Sequence, residues 1–113
     1  MIFSTTYEIP GRKTKAVLGI ARGSTVRARH AGRSLVAWMR GVVGGEIVEY
    51  TKMIAEAREQ ALDRMAEQAA KMGANAVVGV RFGTAEVMSG AAEIVAYGTA
   101  AVLEEAPEPT STE

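Results

Sequence analysis

From Glu46 to Met72 the side chains Ile47, Tyr50, Ile54, Ala57, Ala61, Met65, Ala69 and Met72 recur at intervals of three and four, with Glu, Lys, Arg and Gln frequent between them. One apolar stripe on a polar cylinder marks an amphipathic helix. The spacing therefore predicts a helix over the whole segment, about 40 Å long at ~1.5 Å per residue. Glu46 and Glu49 in its first turn and Lys71 in its last complement the helix dipole, and Gly73 stands where a left-handed C′ residue belongs.

Elsewhere the period shortens. Ile2–Tyr7 is a β-branched and aromatic run broken by Pro10-Gly11, and predicts a strand. Thr14–Arg22 is apolar on both faces, and Gly19 marks a bulge or a close backbone approach. Gly23-Ser24 is expected to interrupt this strand and Thr25–Arg29 to extend it. Between Arg33 and Val43, the residues Leu35, Trp38, Met39 and Val42 fall at helical spacing and predict a short helix closed by Gly44-Gly45. Ala74–Phe82 and Ala91–Leu103 read as two more strands, connected through Ser89-Gly90.

A strand, a helix and a hairpin make a β-α-β-β unit of the α/β (α+β) class. Right-handed crossover puts the last strand between the other two. The expected architecture is two-layered: one long helix plus a short one, and an antiparallel three-stranded sheet. Ala92, Ile94, Ala96, Gly98, Ala100 and Val102 form a small-residue face suited to the alanine-rich helix. The opposite face, with Val95, Tyr97, Thr99 and Ala101 and, on the adjacent strand, Val77 and Gly79, is too apolar to stand wholly in water. Either the Trp38 helix covers it or another copy of the chain does.

Composition narrows the classes. A chain of 113 residues, 48% apolar and 23% charged, is expected to form one globular domain, residues 1–104. The acidic, proline-containing remainder, residues 105–113, has the composition of a disordered tail. Lys plus Arg equals Asp plus Glu at 13 each, which removes the broad positive field of most nucleic-acid binders and leaves no nucleic acid among the expected partners. Cysteine is absent, so there are no disulfides and no thiolate metal sites. No leader pattern and no apolar run near the ~20 residues of a spanning helix are present, so the expectation is a cytoplasmic protein without a membrane partner.

The candidate chemistry sits in ARGSTVRARHAGRS, residues 21–34, which gathers Arg22, Arg27, Arg29 and Arg33 around the one histidine, His30. A turn at Gly23-Ser24-Thr25 would offer backbone N–H groups and two hydroxyls to an anion, with Arg22, Arg27 and Arg29 giving charge-assisted bonds and His30 bordering the site. The competing reading is structural, with the arginines pairing with acids of the helix or of a neighbouring copy. His30 alone identifies no catalytic base, and no catalytic residue is assigned. As a metal ligand it would need carboxylates such as Glu86 or Glu93, and one histidine makes a poor zinc site. Helix acids alternate with Lys52, Arg58, Arg64 and Lys71, as on a solvated face. GIARGS lacks the full dinucleotide fingerprint, and no cofactor is expected.

The blocks RGSTVRARH, VGGEIVEYTKMIAEAREQALDRM, GANAVVGVRF and AYGTA, in this order, resemble the YbjQ-like family. The resemblance spans about residues 1–104. It implies a dodecin-like β-α-β-β subunit assembled into a ring, with a homopentamer as the expected form, and it brings a heavy-metal-binding label that this donor set does not match. The leading expectation is a non-enzymatic, self-assembled binding module for a small anionic ligand. The alternative is a hydrolase or isomerase with a site between subunits built from His30, arginines and Glu86 or Glu93; metal binding is the third reading.

Overall fold

The computed structural model describes residues 1–28, 45–88 and 91–105. Strands β1 (Ile2–Phe3), β2 (Thr14–Ala28), β3 (Ala76–Met88) and β4 (Ala91–Leu103) form one sheet in the order β1-β3-β4-β2, and helix α1 (Gly45–Lys71) packs on it. The mixed α+β class and the central position of the last strand match the expectation, since β4 pairs antiparallel with both β2 and β3. The short helix expected over 33–43 lies outside the described residues, as do residues 106–113.

The sheet has four strands, not three, and is not wholly antiparallel. Ile2 and Phe3 pair parallel with Ala76 and Val77, fixed by Ile2 N donating to Asn75 O and Ser4 N to Val77 O. Two residues are too few to show any alternation, so their pairing is set by backbone hydrogen bonds. The expected run to Tyr7 stops at Phe3 because Ser4 and Thr6 turn the chain: Ser4 Oγ accepts from Thr6 N, and Thr6 Oγ1 donates to Glu8 O.

The helix buries the stripe read from its sequence, with Ala57, Ala61, Met65 and Ala69 fully enclosed against Ala21, Val77, Ile94, Ala96 and Ala100. Its end is a Schellman motif: Gly73, at φ +91°, donates to Ala70 O, and Ala74 donates to Ala69 O. Small residues on both sides let the layers approach closely.

Gly23 shows how closely. The anticipated break at Gly23-Ser24 does not occur, and β2 runs through it to Ala28. A Cβ at Gly23 would collide with the helix backbone at Ala61, Arg64 and Met65, so this glycine admits the helix where a turn was expected. The real irregularity is at Gly19, whose φ of +124° accompanies the register shift between Val17 and Gly19.

A second irregularity corrects the assignment of faces. Val77, expected away from the helix, pairs with Ala100 and is fully buried in the helix-side core. The register then slips between Val78 and Arg81, where Gly79 takes φ +63° beneath the Tyr7 ring. A bulge reverses the alternation, and strict period-two counting fails across it. Ala101 keeps the face expected for it, in register with Val17, but is buried there.

Candidate functional site

On β2 the side chains of residues 22 to 26 alternate cleanly. Gly23 and Thr25 face α1 and are buried; Arg22, Ser24 and Val26 point to the other face of the sheet. Thr25 is 2% exposed, and its Oγ1 donates to Ala57 O at 3.2 Å. Its hydroxyl and the Gly23 backbone therefore serve the helix–sheet seam.

The outward residues lie in rows set by the register. Arg22 stands opposite Tyr97, Ser24 opposite Val95, and Val26 opposite Glu93. Arg27 is in register with Ala92, which is in turn in register with Glu86. Arg27 and Glu86 thus share a row two strand spacings wide, about 10 Å. Glu93, opposite Val26, belongs to the face away from α1, whereas the Ala92 row that holds Glu86 is on the helix side, so the two candidate carboxylates are not gathered together. Arg29 and His30 lie outside the described residues.

Side chains of α1 reach over the free edge of β2. Gln68 Oε1 accepts from Arg22 N and Arg64 Nη1 donates to Ser24 O, both at 2.6 Å. The two backbone groups would otherwise be open to another strand. The charge pattern of the helix gave no hint of this, because an arginine on a solvated helix face looks the same whether it pairs with an acid or reaches a carbonyl.

Across the sheet face away from α1, large apolar side chains remain uncovered. Val17 is 67% exposed, Ile20 70%, Val26 58% and Tyr97 42%.

A family model described as "Putative heavy-metal-binding" matches residues 1–104. The chain belongs to the YbjQ-like family. Among its YbjQ-like relatives, a UPF0145 protein of Methanosarcina acetivorans is 58% identical over 100 residues, covering 88% of this chain and 94% of the relative. A UPF0145 protein of Thermus thermophilus is 54% identical over 108 residues, covering 96% and 95%. A crystal structure of a Pediococcus pentosaceus protein of unknown function, of the DUF74 family, shares the fold with a TM-score of 0.64 at 12% identity, covering 92% of this chain and 98% of that one.

The donor set does not fit a thiophilic metal. The whole chain holds no cysteine and one histidine, and the described residues contain no group of three or more His, Cys, Asp or Glu able to hold an ion. Glu56, Glu59 and Asp63 line a shallow hollow on α1 without forming such a group. Among the described residues no helix is long and apolar enough to cross a membrane.

Proposed function

We propose that this YbjQ-like chain is a non-enzymatic binding module that acts in the cytoplasm as a homo-oligomeric ring, with a pentamer as the working form, and takes a small phosphate- or carboxylate-bearing ligand. The supporting observation is the uncovered sheet face bearing Val17, Ile20, Val26 and Tyr97. Apolar side chains this open on one face belong against another surface, and a copy of the same chain supplies it at no cost in specificity. Symmetry then repeats the segment Arg22–His30 in every subunit, so charges too weak in one copy concentrate around an axis or at a groove between copies.

Arg22, Ser24, Arg27, Arg29 and His30 are the residues assigned to the anion, with Gly23 and Thr25 bordering it from the seam. Charge-assisted hydrogen bonds of about 1.5–3 kcal/mol each leave modest affinity after ordering costs. Binding is expected to weaken with salt, and, where His30 adds charge, to weaken as pH rises through the imidazole range. Calorimetry with inorganic phosphate on the wild type, Arg27→Ala and Arg29→Ala tests this. Loss of binding in both variants supports the reading; no binding by the wild type rejects it.

The row shared by Arg27 and Glu86 favours one second reading, a hydrolase or isomerase site completed between subunits. Turnover in a substrate screen that disappears in His30→Ala would support it.

A further inference from the structure

The chain between β1 and β2 folds around an open recess of about 770 Å³, and both of its walls are tied down. On one side stands Tyr7, whose ring is fixed although 68% of the residue is exposed. It lies on Gly79, where a Cβ would come within 2.6 Å of Tyr7 Cε1, and the Arg81 guanidinium sits 5.7 Å from the ring centroid. Arg81 is held in turn by donating to Thr5 O and Val80 O.

The other wall is a turn. Arg12 N donates to Ile9 O, and Pro10 and Gly11, the latter at φ +80°, take the two central places of a type II turn. Glu104 N donates to Lys13 O and Arg12 Nε to Glu104 O, both at 2.8 Å, which fastens this wall to the end of β4. The bond from Nε orients the guanidinium, whose terminal Nη groups can take a second acceptor.

Charge and shape select the occupant. Arg12, Lys13 and, beside the ring, Arg81 outnumber the single acid Glu8, so the recess favours an anion. Tyr7 gives up its side-chain freedom on folding, so a flat group that stacks on it orders nothing further. The volume falls in the range of about 300–1,000 Å³ typical of small-ligand sites. We infer that this recess binds a planar aromatic anion, a ring carrying a carboxylate or a phosphate, with the ring stacked on Tyr7 and the charged group held between Arg12 and Lys13. Arg12 offers a fork of donors and Lys13 a point charge on a flexible stem. The site is separate from the anion position proposed at Arg22–His30 and does not rest on it.

Titrating the full chain with naphthoate and, separately, with adenosine monophosphate, while following the backbone amide resonances, tests the site. At least one of the two is expected to give saturable shifts at Tyr7 and Lys13, and which one does so tells carboxylate from phosphate. Adenosine and inorganic phosphate, each lacking one half of the chemistry, should bind there at least about tenfold more weakly. Tyr7→Leu and the surface change Lys13→Glu should each weaken binding about tenfold or more, and Arg27→Ala should leave it unchanged. Shifts at these positions with neither probe, inorganic phosphate binding as tightly as the better probe, or binding that survives Tyr7→Leu or Lys13→Glu or is equally lost in Arg27→Ala overturns the inference.

Discussion

On the helix side of β2 and β4, Ala21, Ala96 and Ala100 are sealed beneath α1; on the other side of the same two strands, Ile20, Val26 and Tyr97 stand open. The difference lies in size and partner. The sealed side uses alanine and glycine so that a helix ridge of Ala57, Ala61, Met65 and Ala69 can come close, and its stability comes from tight contact over small side chains. The open side carries larger residues that none of the described residues covers. One face is finished by folding and the other is, on our proposal, the one used for association, so substitutions on the two should fail in different ways.

The largest loss of stability is expected at the seam. Gly23→Val drives branched atoms into the helix backbone and should destabilise the subunit by about 3 kcal/mol or more, read as a lower midpoint in urea. Met65→Ala, which empties one of the largest fully buried side chains, should cost about 2–5 kcal/mol by the same measurement. Gly73→Ala tests the helix end: forcing a Cβ into φ +91° should cost about 1 kcal/mol and leave association untouched. A smaller effect, about 1 kcal/mol or less, is expected for Thr25→Val, which removes the bond to Ala57 O but keeps the shape. If the seam variants changed assembly mass before stability, the division between the two faces would be wrong.

That division was partly legible in the residues themselves. The helix, its buried stripe and the C′ role of Gly73 follow from 3.6-residue spacing and capping chemistry, which are local. Gly23 was ambiguous, because a glycine suits a turn and a close approach equally well, and only the position of α1 decides between them. The face of Val77 was misassigned because Gly79 opens a bulge, and a bulge has no periodic signature. β1 is too short to have one at all. For the candidate site, the alternation of Arg22 and Ser24 with Gly23 and Thr25 was hidden by the turn expected at Gly23-Ser24-Thr25, and the commitment of Thr25 to Ala57 and of Arg64 to Ser24 depends on a helix more than thirty residues away.

The central claim is that the open face is an interface between copies of this chain. Light scattering at micromolar concentration, on the wild type and on Ile20→Glu, tests it most directly. The account expects the wild type to show the mass of a pentamer of 11.9 kDa subunits, and Ile20→Glu to fall to a single subunit with its far-UV circular dichroism unchanged. A wild type that scatters as a monomer, or a variant whose assembly mass does not change, would contradict it.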